Sequence, residues 1–453
     1  MAFGYSDRQA KKRKKRGLQM LDLVLPTQEQ RIWADLEIGV LLHMDMQTFV
    51  PGYDFRKQWG TVPPGPAFAP MALDTDQWIQ SARAAGAKYA VLVAKHCSGF
   101  CLWPTDAHGY SIKQSPWKNG KGDIVGDFFA SCEKYGVKPG LYYSASCNAF
   151  CNVDNPGKVL AGDRGAQEKY NAVVLAQLTE LWTRYGKVFE IWFDGGCLPV
   201  EQGGPDIAPL LHRLQPQAVV FQGPPGTKSL LRWVGNERGI APEDCFATVD
   251  FSPEAFDGSD ERTYAGNPAG RTWCPAESDL PNRYAKKSFM GGWFWRAGEE
   301  HAVVPAEALF DVYLKSVGRN TNMLIGMVID DRGLFPEADA AVFKQFGDRV
   351  RQAFGTPIAC LAQADLREMP DKYNYHLPLP PGSSPKYLVM AEDIAQGERV
   401  MGYTVNGSIT GKCIGHKRIA ALPRDTKAIA LEILAAKAEP VLKSIAVYGD
   451  MRY

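Results

Sequence analysis

IWFDGG, residues 191–196, decides the reading of this chain: an apolar, strand-forming run stops at an aspartate followed by two glycines. A second stretch, KHCSGFCLWPT at residues 95–105, has the same texture, because an apolar run ends there in Lys95, His96, Cys97 and Ser98. Strands that finish in reactive side chains are the pattern of a (β/α)8 barrel of the TIM type, whose chemistry sits at the carboxyl ends of its strands. Asp194 and His96 are then expected to project from neighbouring strand tips into one bowl. Asp194, close to Trp192 and held before Gly195 and Gly196, is a candidate nucleophile.

Outward from these stretches, short β-branched and aromatic runs alternate with helical periodicity over residues 31–356, the mark of repeated βα units. Eight strands are expected, at residues 37–44, 89–96, 138–145, 188–194, 218–222, 246–250, 272–277 and 323–329. Helices are expected at 75–85, 123–135, 166–185, 206–214 and 305–317, where apolar residues recur at helical spacing. Between Gly223 and Trp293, glycine, proline and acidic residues break the periodicity, and spans of that length usually carry function. Residues 357–453 change texture, with a proline- and serine-rich stretch ahead of alternating runs at 386–390, 399–405 and 428–434. They are read as a C-terminal β-sandwich. Residues 1–30 are read as an arm, its cationic run at 11–16 being a solvated feature.

A chain of 453 residues that is 45% hydrophobic can bury one large barrel and a smaller module. A net charge of +1 creates no global field for nucleic acid or anionic membrane, so neither is expected as a partner. No stretch approaches the roughly 20 apolar residues that span a bilayer, and the N-terminus lacks the apolar core of a secretory signal. As written the chain is expected in the cytoplasm, with a secreted or periplasmic form left open if the native chain begins elsewhere. Ten scattered cysteines without paired C-x2-C clusters are expected as reduced thiols. Seven histidines without H-x-H or H-E-x-x-H spacing give no metal site, and no cofactor motif is present. Oligomeric state has no signature in the sequence.

The strings KYAVLVAKHCSGFCLWPT (88–105), SPWKNGKGDIVGDF (115–128), GLYYS (140–144), TRYGKVFEIWFDGG (183–196), LRWVGNE (231–237), PAESD (275–279), GGWFW (291–295) and YLKSVGRNTNMLIG (313–326) come in order along the chain. Together they resemble the retaining α-L-fucosidases of glycoside hydrolase family 29. The likeness runs from about Leu36 to the C-terminus and is closest to the subgroup acting on α-1,3- and α-1,4-linked fucose, with IGHKRI (414–419) resembling that subgroup's sandwich.

The resemblance implies Asp194 as nucleophile and Glu237 as acid/base, with Glu277 of PAESD the alternative acid. Independently of it, a retaining glycosidase needs two carboxyl groups about 5–5.5 Å apart across the sugar. The implied reaction is double displacement through a glycosyl-aspartate, with a small fucosylated oligosaccharide or glycoconjugate as partner. His43 and His96 match positions that contact sugar hydroxyls in that family. Of Tyr142 and Tyr143, which alternate faces, Tyr142 is assigned to the bowl. Trp59, Trp192, Trp233 and Trp293 are the expected apolar platform, and Arg232 the expected partner of an active-site carboxylate.

Three neighbourhoods depart from the resemblance. Relatives read K-H-H-D-G-F where this chain has Cys97 and Ser98 in the third and fourth places, and Gln58 stands where they carry glutamate before Trp59. After His43, an aromatic and a glycine are replaced by Met44 and Asp45. These changes touch sugar recognition, so Gln58 and Cys97 join the expected substrate contacts. Two other readings follow: an α-glycosidase for a related glycone such as L-galactose, and a carbohydrate-binding protein that has lost turnover.

Overall fold

The computed structural model describes residues 23–250 and 264–451. The cationic run at 11–16 lies outside them. Eight parallel strands close a barrel: β1 (Ile38–His43), β2 (Tyr89–Lys95), β3 (Lys138–Tyr143), β4 (Glu190–Trp192), β5 (Val219–Phe221), β6 (Leu230–Trp233), β7 (Ala276–Leu280) and β8 (Asn322–Val328). Their order around the barrel is their order in the chain, with β8 closing onto β1 in the register Ile38 to Met323.

The expected sixth strand is a correction. Thr248–Val249 pairs antiparallel with Thr272–Trp273 in a separate ribbon, and Leu230–Trp233 takes the place in the barrel. The expected strand at 272–277 divides likewise, its end passing into β7. The cause is a missing helix: β5 ends at Phe221 and β6 begins at Leu230, a connection too short for the usual helical crossover. The alternation of strand and helix, which carries the sequence signal, is absent there.

Five expected helices form as α2 (Thr75–Ala84), α3 (Ile124–Tyr135), α4 (Arg164–Arg184), α5 (Ala208–Leu214) and α6 (Ala306–Lys315). Two more are α1 (Gln28–Leu36) and α7 (Glu337–Phe354). A capping box between Thr27 and Gln30 starts α1, so the expected boundary at residue 30 falls inside a helix. That helix plugs the amino end of the barrel. Gln30 Nε2 donates to the carbonyls of Leu230 at 2.9 Å and Trp273 at 3.1 Å, and Asn322 Nδ2 donates to that of Trp33 at 2.7 Å. No helix among the described residues is long and apolar enough to cross a membrane.

Eight further strands build the C-terminal unit: β9 (Ala359–Ala362), β10 (Asn374–Pro378), β11 (Ser383–Glu392), β12 (Val400–Val405), β13 (Ile409–Gly411), β14 (Arg418–Ala421), β15 (Ala428–Ala436) and β16 (Leu442–Met451). They form two antiparallel sheets, β9-β16-β11-β14 and β10-β15-β12-β13. Ile429, Leu431 and Ile433 alternate inward from one sheet, facing Leu388, Met390, Ile445 and Val447 from the other. Phe354 at the end of α7 packs on Tyr387 and Tyr448, ring centroids 5.2 and 5.4 Å away, and joins the sandwich to the barrel.

The barrel interior is mostly apolar and aromatic, including Leu41, Tyr89, Val91, Val93, Val219 and Leu324. Two carboxyl groups interrupt it. Glu277 accepts from Tyr89 Oη at 2.7 Å and Trp192 Nε1 at 2.9 Å, whereas no donor reaches either oxygen of buried Glu190. Burial, reinforced by the charge of Glu277, pushes the Glu190 carboxyl well above its ordinary range. Of the pair, Glu190 is the carboxyl pushed further toward its protonated form.

A carboxyl whose folded-state pKa is raised binds its proton above the unfolded value of about 4.3, so folding stability falls as pH climbs from there toward the folded value. Glu190→Gln keeps a neutral donor and abolishes the titration. Urea unfolding at pH 4 and pH 8 is expected to show a gain for the variant that grows with pH, by at most about 1.4 kcal/mol per unit. Parallel stability curves for the two proteins would refute a protonated Glu190.

Candidate active site

A cavity of about 720 Å³ opens at the carboxyl ends of the strands. Its wall is a belt of rings. Phe221 on β5 stacks on Trp192 on β4 at 3.9 Å and 4°, Trp192 stacks on Tyr142 on β3 at 5.4 Å and 15°, and Tyr142 stacks on His96 after β2 at 5.7 Å and 18°. His43, ending β1, turns its edge to His96 and Tyr142 and packs on Trp293 at 4.9 Å. Each stacked pair contributes about 0.5–1.5 kcal/mol beyond its buried area, so the belt is stiff before any sugar binds.

Asp194 stands just beyond β4, two residues from Trp192. β3 lies between its strand and that of His96, so the two tips are next-but-one rather than adjacent. Tyr142 Oη donates to Asp194 Oδ2 at 2.8 Å, and Ser146 Oγ donates to its carbonyl at 2.6 Å. Gly195 and Gly196 follow at φ 69° and 74°, a left-handed pair that lets the chain fold back without a side chain striking Ser146. The Gly195 N–H donates to Gln222 Oε1 at 3.0 Å. Burial and the Asp194 charge hold the Tyr142 phenol well above its ordinary pKa, so it remains a donor.

Glu237 lies four residues past β6 and lines the same cavity. Desolvation raises its carboxyl pKa, the negative charge of Asp194 adds to that, and the nearby Trp293 indole opposes it. Glu237 is thus pushed toward its protonated form on the cavity that Asp194 also lines. His43 is buried, and its pKa falls to about 3 because of desolvation and the adjacent His96. The carbonyl of Leu41 lies 3.2 Å from Nδ1, so that nitrogen carries the hydrogen and Nε2 is left as an acceptor.

Cys97, Trp233 and Trp293 also line the cavity. Glu277 does not: it is buried beneath Trp192, and the alternative acid is structurally occupied as the acceptor that pins the indole. Arg232 is likewise corrected. Alternation along β6 points Trp233 inward and Arg232 outward, where its guanidinium donates to the carbonyls of Cys274, Phe246 and Tyr264. Gln58 lies exposed, and Trp59 packs near Phe55 at 6.2 Å, so neither is on the cavity wall.

Asp279, Phe55, Gln222 and Phe294 line the cavity without having been singled out in the sequence. Asp279 accepts from Trp233 Nε1 at 2.6 Å, and burial raises its pKa well above the carboxylate range. Its place two residues beyond Glu277 on the same face of β7 was available from strand alternation.

The Alpha-L-fucosidase family profile matches residues 27–353. This chain belongs to the alpha-L-fucosidase family. It is a glycoside hydrolase, and the closed barrel with its appended sheets is the fold of that family. Alpha-L-fucosidase 1 of Arabidopsis thaliana is 30% identical over 477 residues, covering 94% of this chain and 88% of the plant protein. A solved candidate alpha-L-fucosidase from Bacteroides thetaiotaomicron superposes with a TM-score of 0.86 at 33% identity, over 95% of this chain and 100% of that one. A glycoside hydrolase 29 member from an unknown rumen bacterium gives 0.78 at 25%, over 96% and 78%.

The Tyr142–Asp194 bond is open to a direct check. A hydrogen bond to a charged partner is worth about 1.5–3 kcal/mol, so Tyr142→Phe is expected to lower kcat/KM on an aryl α-L-fucoside roughly 10- to 100-fold. Near-UV circular dichroism should keep the signature of the ring stack. Unchanged kinetics would place the hydroxyl outside the reaction.

Proposed function

We propose that this family member is an exo-acting, retaining α-L-fucosidase-like hydrolase in which Asp194 attacks the anomeric carbon and Glu237 protonates the departing oxygen. A glycosyl-aspartate forms as the glycosidic C–O bond breaks; water, deprotonated by Glu237, then releases the sugar. The observation that carries this reading is two carboxyl groups on one cavity, one held by a phenol and the other pushed toward its protonated form. His43 and His96 are assigned to sugar hydroxyls, and Trp192, Trp233 and Trp293 to the sugar's C–H face. The motif order favours α-1,3- or α-1,4-linked fucose at a chain end.

A second glycone has a specific observation behind it. Cys97 presents a thiol on the cavity wall where relatives carry imidazole, which frees space and removes a strong hydrogen-bonding partner. A pocket that pairs a substrate hydroxyl discriminates by up to ~10⁴–10⁵ against analogues lacking it, so this substitution acts on sugar choice before it acts on bond cleavage. L-galactose, which adds a hydroxyl to L-fucose, is the alternative glycone.

Side-by-side assays on nitrophenyl α-L-fucoside, nitrophenyl α-L-galactoside and a Lewis-type trisaccharide test the substrate. Asp194→Ala is expected to lose about 10³-fold or more in kcat on the preferred compound. Glu237→Gln should lose roughly 10²–10⁴-fold on the trisaccharide, less on the nitrophenyl compound, and azide should restore turnover as a glycosyl azide of retained configuration. Because the acid must be protonated, kcat/KM of the parent enzyme should fall as pH rises through the elevated Glu237 pKa. Sugar binding without hydrolysis by the parent protein would make it a binding protein instead.

A further inference from the structure

One carboxylate beside the cavity has no part in the steps above. Asp45 follows β1, is almost wholly buried, and accepts through Oδ1 from the Met46 N–H at 2.7 Å and from Ser98 Oγ at 2.5 Å. Ser98 in turn accepts the Phe100 N–H at 3.0 Å, so its hydrogen is committed to Asp45. The second oxygen, Oδ2, lies 3.6 Å from His96 Nδ1, and among the described residues neither atom has a hydrogen-bond partner. A small rotation of the imidazole closes that separation to a hydrogen bond.

The other surroundings of His96 are rings. Tyr142 covers one face, Phe55 and Phe294 meet it edge-on at 5.5 and 5.0 Å, and His43, its Nδ1 engaged by the Leu41 carbonyl, lies 6.1 Å away. The phenyl rings and the stacked face of Tyr142 do not tell one imidazole nitrogen from the other; Asp45, facing Nδ1, does. A carboxylate only accepts, so Nδ1 carries the hydrogen and Nε2 is left for the cavity.

We propose that Asp45 is a positioning residue for sugar binding: it fixes the tautomer and the ring orientation of His96, and Ser98 clamps it in place. The carboxylate that the family resemblance puts at position 98 is thereby supplied from position 45, across the gap between two neighbouring strands. The two departures from the family pattern are one exchange.

The test uses the full-length protein and the variants Asp45→Asn, Asp45→Gly and Asp45→Gly/Ser98→Asp. Asn keeps an acceptor for Met46 and Ser98 but turns an amide donor toward Nδ1. Asp45→Asn is expected to raise KM for the preferred glycoside roughly tenfold or more, with kcat changed severalfold less and the melting temperature within a few degrees. The double variant should recover most of the affinity that Asp45→Gly loses. In ring-nitrogen NMR of the sugar-free protein, with the resonance assigned by its loss in His96→Gln, His96 should show Nδ1–H in the parent and lose it in Asp45→Asn. An unchanged tautomer in Asp45→Asn overturns the proposal, as does a double variant no better than Asp45→Gly. The spectrum needs no substrate, so a parent protein inactive on every glycoside sinks the reaction assigned above while this assignment still stands or falls on the His96 tautomer.

Discussion

The hydrogen bond from Trp192 Nε1 to Glu277 Oε2 is the constraint on which the site depends. It ties a ring in the cavity wall to a carboxylate deep in the barrel. A hydrogen bond to a charge is worth about 1.5–3 kcal/mol, more than a single aromatic stack, so it sets the orientation of the indole and the stacks follow. Phe221 and Tyr142 then lie nearly parallel to Trp192, and the phenol of Tyr142 reaches Asp194. Burial raises the Glu277 carboxyl above its ordinary range, and hydrogen bonds from Tyr89 and Trp192 work against that rise.

Among the described residues between β5 and β7 no α-helix covers the barrel, and other parts take over that job. Arg232 gathers backbone carbonyls of the long excursion after β6 on the outside of the strand. Glu398 of the sandwich accepts the Ala247 N–H through both carboxylate oxygens, at 3.0 and 2.9 Å, and also the amide of Asn320. Arg418 reaches Glu243 from the same side. The sandwich thus braces the segment leading away from Glu237, which gives it a structural reason to exist without a sugar of its own.

Much of this was legible in the sequence, for an identifiable reason. Strands that are followed by helices were found to within a few residues, since a period of 2 and a period of 3.6 stand next to each other there. β6 was not among them, because its neighbours in the chain are a short turn and an irregular loop. The side chains placed correctly on the cavity, such as His43, Tyr142, Trp192 and Asp194, close strands whose partners were also clear. Arg232 and Glu277 were misplaced by motif, yet alternation corrects the first: Trp233 faces in, so its neighbour faces out. Glu277 does face inward, but depth along the strand decides between floor and cavity, and register is not readable from one chain.

The departures from the family pattern acquire different weights once placed in space. Gln58 lies at the surface, so its loss of charge does not alter the cavity wall. Ser98 and Asp45 touch one another behind His96, the hydroxyl donating to the carboxylate. Cys97 alone of these positions lines the cavity, its thiol 3.7 Å from Ser144 Oγ and its pKa held well above the ordinary thiol value by the neighbouring Cys147 and by burial. A neutral thiol is a weak donor and a weak acceptor. Of the three neighbourhoods, therefore, only this one places a side chain on the cavity wall, and that side chain is small and weakly polar.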